Sequence, residues 1–284
     1  MLRETEVNVG GVCINVVAGP VSGPPLLMLH GVTRRWQTFA AMLPAILSRW
    51  HVHAIDFPGH GRSERTAERY RVVDYVSVVS AFVRERFPEP AVIYGHSLGS
   101  MVAAGVAAEC PASVRGIVME DPPFETMGKR IRETALHGYF TQLKRFAGST
   151  QPVGDVAREL AQLELRDPKT GASQRLGDVR DAAALRFTAA SLARLDPGAL
   201  EPVVQGDWLQ GFDWESILSG VLCPSLLLQA DDAVGGMLIE SEAAIAAKAM
   251  ADCSHVRMKG VGHLIHGTRP GELLTIVMPF LESL

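Results

Sequence analysis

Short apolar runs alternate with longer helix-like segments along most of this chain. The runs are residues 12–18, 26–29, 52–55, 91–94, 116–119, 225–230 and 255–258. They are short and mostly apolar, as strands buried on both faces should be. Between them, residues 75–87 repeat apolar side chains at helical spacing, and residues 98–109 are rich in alanine and free of proline. This alternation predicts a mostly parallel sheet with helices on both faces.

The alternation stops between about residues 122 and 220, where Arg, Asp, Glu and Gln become more frequent. Within this stretch, residues 155–165 and 181–195 have the pattern of amphipathic helices. We therefore predict a core domain made of residues 1–121 and 221–284. Residues 122–220 are predicted to form a helical cap, or lid, inserted between the sixth and seventh strands of the sheet.

Composition and charge limit the classes of partner. The 284 residues carry 27 basic and 31 acidic side chains, interspersed, so there is no basic face for nucleic acid. No run of about 18 apolar residues occurs, and the N-terminal residues are charged where a signal peptide is apolar. We expect a cytoplasmic protein, without membrane association, that acts on a small-molecule substrate; a homodimer is left open. The four cysteines lie far apart, without metal-ligand spacing.

The segment GHSLG at residues 95–99 follows a predicted strand and opens a predicted helix. Glycines on both sides of a serine in this context permit a sharp turn that presents the hydroxyl at the carboxyl end of the sheet. The start of the helix favours developing negative charge. We predict Ser97 as a nucleophile, which requires a general base, an orienting carboxylate and an oxyanion hole. Ser63 is the competing serine, but it lacks the flanking glycines.

Candidates for the base and the oxyanion hole lie far from Ser97 in the chain. His263 stands in GVGHLIH at residues 260–266, after the last predicted strand and before the last predicted helix. We predict it as the base, and assign His255 and His266 to surface positions. Val32 follows the strand of residues 26–29, where its backbone N–H can pair with that of Leu98 around a tetrahedral oxyanion.

Four motifs carry a resemblance to a known family. HGVTRRW at 30–36, DFPGHGRS at 56–63, GHSLG and GVGHLIH stand in the order seen in the α/β-hydrolase superfamily, and the match covers the chain except the cap. The resemblance implies an α/β fold with an eight-stranded, mostly parallel sheet and an inserted helical cap. It also implies Ser97 as nucleophile, His263 as base, and the N–H groups of Val32 and Leu98 as oxyanion hole. No metal and no organic cofactor are implied.

The sequence offers two positions for the orienting acid. Members of the superfamily commonly carry it in a G-x-x-D turn after the seventh strand, but here alanine replaces the glycine and Ala233 occupies the acid position. Asp231 lies in that turn and is the alternative acid. Asp121 ends the sixth strand, 24 residues after the nucleophile, and this separation resembles that of zearalenone lactonases. We favour Asp121, whose role is to hold the His263 tautomer and stabilise the imidazolium.

Residues beside the nucleophile and the oxyanion turn are candidate substrate contacts. Gly31, Trp36 and His96 are predicted to bind substrate, and Arg34 or Arg35 could pair with a substrate carboxylate. Large apolar residues of the cap are candidates to roof a mostly apolar pocket. They are Phe124, Met127, Tyr139, Phe140, Phe146, Phe187, Trp208 and Trp214.

These parts predict a serine hydrolase, a carboxylesterase or lactonase. It would cleave a carboxylic ester or lactone of a medium-sized apolar substrate through an acyl-enzyme. One alternative is a C–C bond hydrolase that acts on a diketone or dienoic ketone. A second alternative, from a different class, is a small-molecule receptor that binds a ligand on the same fold without turnover.

Overall fold

The computed structural model describes residues 1–67, 70–166 and 170–284. The strands are β1 Arg3–Val9, β2 Val12–Ala18, β3 Pro25–Leu29, β4 His51–Ile55, β5 Ala91–His96, β6 Val114–Glu120, β7 Glu164–Arg166, β8 Ser173–Arg175, β9 Ser225–Ala230 and β10 Cys253–Met258. The α-helices are α1 Leu43–Ile46, α2 Val72–Arg86, α3 Leu98–Glu109, α4 Phe124–Met127, α5 Ala135–Leu143, α6 Val153–Ala161, α7 Leu176–Val179, α8 Ala182–Leu192, α9 Glu201–Gln205, α10 Trp214–Ser219, α11 Glu240–Ala249, α12 Ile265–Thr268 and α13 Pro270–Ser283.

Eight strands form one sheet in the order β1-β2-β4-β3-β5-β6-β9-β10. The pairs β1–β2 and β2–β4 are antiparallel, and all other pairs are parallel. The predicted fold class is therefore confirmed, and each of the seven predicted apolar runs lies in a strand. Strand β1 was not among the predicted runs because its sequence, RETEVNV, is largely polar and lies exposed at the edge of the sheet.

Alternate side chains of each central strand pack on opposite faces of the sheet. In β3, Leu27 and Leu29 belong to the core that includes residues of α2 and α3. Leu26 and Met28 belong to the core that includes residues of α1 and α13. Because the pleat sends successive side chains to opposite faces and both faces are covered, the strand reads as one continuous apolar run.

The topology opens a crevice at the centre of the sheet. The chain leaves β3 toward β4 on one side and leaves β5 toward β6 on the other. In parallel sheets, ligands bind outside the carboxyl ends of strands at such a switch point. The register pairs Leu29 with Gly95 and His96 with Glu120, so the turns after β3, β5 and β6 meet at this place.

The segment between β6 and β9 holds α4 to α10 and an antiparallel hairpin of β7 and β8. The helix predicted over 155–165 ends earlier, as α6, because the following residues pair with β8. The helix predicted over 181–195 is α8, and the Asp181 side chain caps its N-terminus by accepting from the Ala184 N–H at 2.8 Å. Among the described helices, none is long and apolar enough to cross a membrane.

Candidate active site

Ser97 lies on a strained turn between β5 and α3. Its backbone has φ 55° and ψ −116°, a region that side-chain-bearing residues rarely adopt. The flanking glycines are required by close backbone contacts. A Cβ on Gly95 would lie 2.1 Å from the Gly99 carbonyl oxygen, and one on Gly99 would lie 2.0 Å from that of Leu29. The Ser97 N–H donates to the Glu120 carbonyl at 2.9 Å, which fixes the turn against β6.

Two backbone N–H groups are available beside Ser97. Val32 follows β3, and Leu98 is the first residue of α3. Within the described ranges, neither N–H donates to another protein group. A Cβ on Gly31 would lie 3.1 Å from the Cβ of Ser97 and 2.8 Å from Nδ1 of His96, so only glycine lets the two turns approach this closely. The structure thus brings the two predicted oxyanion turns together.

His263 and Asp121 are joined by a hydrogen bond. The distance from His263 Nδ1 to Asp121 Oδ2 is 2.6 Å. Asp121 is wholly buried just after β6, with φ 48°. Its Oδ1 accepts from the N–H groups of Ala230 at 3.1 Å and Leu238 at 3.2 Å, and its Oδ2 from Met237 at 2.8 Å. Three backbone donors and an imidazole compensate the buried carboxylate for its lost hydration.

This contact determines what the imidazole can do. Because the carboxylate accepts only, the bond places a proton on Nδ1 of His263. The neutral ring then carries its lone pair on Nε2, the atom that can remove a proton from a hydroxyl. The His263 side chain is 13% exposed, whereas that of Asp121 is completely buried. The pair is therefore oriented from the protein interior toward the crevice.

Asp231, the alternative acid, performs a different structural task. Its carboxylate accepts from the N–H groups of Ala233 at 3.1 Å and Gly260 at 2.8 Å. These bonds lower the pKa of Asp231, and the Arg257 guanidinium at 3.6 Å contributes to the same shift. No hydrogen bond joins Asp231 to His263 in the part of the chain that the structure describes. Asp231 closes the turn after β9 and ties it to the loop that carries His263.

His96 connects the turn around Ser97 to the loop that carries His263. Its ring centroid lies 4.7 Å from that of His263, and its Nε2 donates to the His263 carbonyl at 3.1 Å. Burial, followed by the neighbouring His263 and His266, lowers the pKa of His96 well below its usual value. Its Nδ1 is buried and has no partner among the described groups. A neutral ring therefore supports His263 from the side.

Two other residues singled out in the sequence lie in a separate network around Asp56. The Trp36 indole donates to Glu4 of β1 at 3.2 Å, and its backbone N–H donates to Asp56 at 2.8 Å. The Ser63 hydroxyl donates to the Asp56 carbonyl at 2.5 Å and accepts from the Asn15 N–H at 2.8 Å. Among the described hydrogen bonds, none links Trp36 or Ser63 to the turn around Ser97 or to the loop that carries His263.

A second buried carboxylate–imidazole pair lies behind the first. His266 Nδ1 donates to Glu120 Oε2 at 2.7 Å, and Glu120 also accepts from the Tyr94 hydroxyl at 2.5 Å and the His266 N–H at 2.9 Å. The assignment of His266 to a surface position was wrong, since the residue is completely buried. The neighbouring Ile265 belongs to the core cluster that also includes residues of α13. In the sequence, two adjacent acids at the end of β6, Glu120 and Asp121, and two histidines in the loop after β10, His263 and His266, were the features that could have predicted two such pairs.

Glu120, His266 and His96 also offer ligand atoms within 4.8 Å of one another, as metal ligands do. Hydrogen bonds already occupy both nitrogens of His266, because Nε2 lies 2.8 Å from the Thr38 hydroxyl. The imidazole therefore has no lone pair free for an ion in this arrangement. The cluster is a hydrogen-bonded support for the loop of His263.

Most of the large apolar residues between β6 and β9 are buried in the core cluster that also includes residues of α2 and α3. Phe187 and Tyr139 are partly exposed, and Phe187 lies in α8 against the guanidinium groups of Arg34 and Arg35. The buried members are Phe124, Met127, Phe140, Phe146, Trp208 and Trp214.

The sheet order, the strained serine turn and the oriented histidine together define an α/β hydrolase. A family model described as the alpha/beta hydrolase family matches residues 26–275. The chain belongs to this family.

Comparisons with individual proteins give several relatives. The chain is 26% identical to the magnesium-chelatase 30 kDa subunit of Rhodobacter capsulatus over 93% of this chain and 89% of that protein. It is 36% identical to lipase LipV of Mycobacterium tuberculosis over 40% of this chain and 43% of that protein. The crystal structure of E-2-(acetamidomethylene)succinate hydrolase superposes with a TM-score of 0.79 at 22% identity, covering 99% of this chain and all (100%) of that one. This likeness shows the shared fold.

Proposed function

We propose that the protein is a serine hydrolase that cleaves a carboxylic ester or lactone of a medium-sized substrate through an acyl-enzyme. Ser97 is the nucleophile, His263 the general base and Asp121 the orienting acid. The N–H groups of Val32 and Leu98 form the oxyanion hole. The observation that carries the proposal is the 2.6 Å bond between His263 and the completely buried Asp121.

The chemistry follows from the positions of these groups. His263 Nε2 takes the proton of the Ser97 hydroxyl as its oxygen attacks the carbonyl carbon. The electron pair moves to the carbonyl oxygen, which accepts hydrogen bonds from Val32 and Leu98. Collapse of this intermediate expels the alcohol, which takes the proton from His263. Water then attacks the acyl-enzyme with the same base, and release of the acid restores Ser97.

Asp121 supports both halves of the reaction. It holds the Nδ1–H tautomer of His263, and its negative charge stabilises the imidazolium that forms in each transition state. Three backbone donors hold the carboxylate in place. The similarity to a protein named as a lipase supports ester chemistry, although it covers only part of either chain.

A second candidate function is ligand binding without turnover. The relative that overlaps 93% of this chain is named as a subunit of a magnesium chelatase. A binding role would use the crevice at the carboxyl ends of the strands and leave Ser97 unreactive. Reactivity of Ser97 therefore separates the two functions.

The deciding experiment is covalent labelling with a fluorophosphonate, combined with hydrolysis of 4-nitrophenyl esters of increasing acyl length and of aryl lactones. We expect wild type to label at Ser97 and to turn over at least one ester or lactone. Ser97→Ala should lose both properties, whereas Ser63→Ala, the control at the competing serine, should still label. Folded wild-type protein that neither labels nor hydrolyses any of these compounds would refute the hydrolase proposal and favour ligand binding.

A further inference from the structure

Arg34 stands directly beside the proposed oxyanion hole. Its backbone N–H donates to the Gly31 carbonyl at 3.1 Å and closes the turn that contains Val32. Thr33, inside this turn, has φ 65°. The turn thereby fixes the Arg34 backbone relative to the N–H group that would receive the oxyanion.

The Arg34 side chain extends toward the cap. Its Nη1 donates to the Thr188 hydroxyl of α8 at 3.2 Å, and its Cζ lies 5.7 Å from the centre of the Phe187 ring. The Thr188 hydroxyl in turn donates to the Ala184 carbonyl at 2.9 Å, which holds it in place as an acceptor. Core turn and cap helix therefore fix the guanidinium between them.

Among the described residues, the positive charge of Arg34 has no carboxylate counterion. Within residues 1–67, 70–166 and 170–284, no carboxylate lies within 4 Å of its guanidinium, and the Thr188 bond is the only hydrogen bond of its side chain. Burial lowers the pKa of Arg34, Tyr139 raises it, and the positive charge of Arg180 lowers it again. A partly buried guanidinium with most of its donors unused is costly unless an anion pairs with it.

The charge of Arg34 acts on a ring that adjoins the proposed base. Arg34 contributes to the lowered pKa of His96, whose ring lies 4.7 Å from that of His263. Arg35, the next residue, differs because Asp56 and Glu4 act on it with opposite charge. Arg34 is thus the cation of this loop that is left for a ligand.

We propose that Arg34 binds a carboxylate of the substrate, so that the substrate carries a carboxylate in addition to the bond that is cleaved. The planar guanidinium fork matches a carboxylate with two parallel hydrogen bonds. A single free guanidinium balances one negative charge, which favours a carboxylate over a phosphate dianion. This inference rests on the proposed function and replaces the expectation of an apolar substrate with that of an acidic one.

The test compares acidic esters with their neutral methyl esters. 4-Nitrophenyl hydrogen succinate and hydrogen glutarate carry the carboxylate on the acyl side, and 4-acetoxybenzoate carries it on the leaving group. We expect wild type to have a higher kcat/KM for at least one of these acids than for its methyl ester. Arg34→Met should lower kcat/KM for that acid by about 10- to 100-fold, the usual range for one hydrogen bond to a charged group.

Arg34→Met should leave the methyl ester within about twofold, and fluorophosphonate labelling of Ser97 should persist. Arg62→Met, which removes an exposed arginine paired with Glu4, is the charge-matched control and should change neither substrate. Equal use of acids and methyl esters by wild type, or an equal loss for both in Arg34→Met, overturns the carboxylate site while the hydrolase proposal stands. Absence of labelling and of all turnover in wild type would overturn both the hydrolase proposal and the carboxylate site.

Discussion

Replacing Asp121 by asparagine tests the assignment of the orienting acid. The two carboxylate oxygens accept four hydrogen bonds, two each. An asparagine NH₂ group in place of Oδ1 would face the N–H groups of Ala230 and Leu238. In place of Oδ2 it would face one backbone N–H, that of Met237, and the His263 ring. The second orientation leaves fewer donors unpaired, so we expect it to be adopted.

In that orientation the asparagine NH₂ donates to His263 Nδ1 and forces the proton to Nε2. The imidazole then has no lone pair on Nε2 with which to take the Ser97 proton in the proposed mechanism, and kcat should fall by about 10⁴-fold, or about 5.5 kcal/mol of transition-state stabilisation. The unpaired Met237 N–H should reduce the free energy of unfolding by about 1–3 kcal/mol. Asp231→Asn alters a turn carboxylate without contact to His263, so it should keep kcat within about threefold.

The assay is pre-steady-state and steady-state hydrolysis of the best 4-nitrophenyl ester by wild type, Asp121→Asn and Asp231→Asn. Urea denaturation of the same three proteins checks that each is folded. If Asp121→Asn keeps kcat within tenfold of wild type, or Asp231→Asn loses as much activity, the assignment of Asp121 is wrong. The acid would then have to come from the turn after β9.

Three further predictions concern stability. Ser97→Gly relieves the strained backbone and should raise the free energy of unfolding by about 1 kcal/mol relative to Ser97→Ala, or about 2–4 °C in Tm by calorimetry. Gly99→Ala places a methyl group 2.0 Å from the Leu29 carbonyl oxygen and should lower the free energy of unfolding by about 3 kcal/mol. At Gly138 a Cβ would meet nothing within 4 Å, so Gly138→Ala should raise the free energy of unfolding by about 0.5–1 kcal/mol, as measured by urea titration. Burial lowers the pKa of His30 to about 4 and of His60 to about 3. Both histidines are neutral in the folded protein but take up a proton below about pH 6.5 in the unfolded chain. Their contribution to the free energy of unfolding is therefore complete above pH 6.5, and we expect about 2 kcal/mol per histidine to be lost by pH 5.

Each of these predictions has a contradicting result. Equal Tm values for Ser97→Gly and Ser97→Ala would show that the turn is unstrained. Gly99→Ala with wild-type stability would show that β3 can move aside. A free energy of unfolding that stays constant from pH 7 to pH 5 would show that the buried histidines take up protons without loss of the fold. His60→Leu should reduce the slope of stability against pH by about one proton.

The sequence predicted seven of the eight strands of the sheet and missed the polar edge strand β1. Six of the seven apolar runs became strands that are mostly buried, a condition that leaves a direct mark on the residues. The seventh, β10, lies at an edge of the sheet and is largely exposed. Strand β1 left no such mark, since it lies exposed at the edge of the sheet. Between β6 and β9, residues 164 and 165 were predicted as the end of a helix but pair with β8, because a three-residue strand is fixed by its partner and not by its own sequence.

The turn around Ser97 could be predicted from the sequence because its constraint is local. The close approaches at Gly95 and Gly99 exclude any side chain, so the glycines report the geometry around Ser97 directly. His263 was recognisable for a similar reason, as a histidine in a glycine-rich turn after the last strand. Local steric exclusion of this kind restricts residue identity wherever the turn occurs.

Only the tertiary structure decided which groups meet. Asp121 and Asp231 are both acids that follow an apolar strand. The structure anchors the Asp121 carboxylate beside His263 through three N–H groups, one from the last residue of β9 and two from the segment that follows. The burial of His266 against Glu120 and the absence of a described counterion for Arg34 likewise depend on residues more than a hundred positions away. Sequence fixes the donors and acceptors that each residue offers, whereas long-range packing determines which of them are paired and which are left for a ligand.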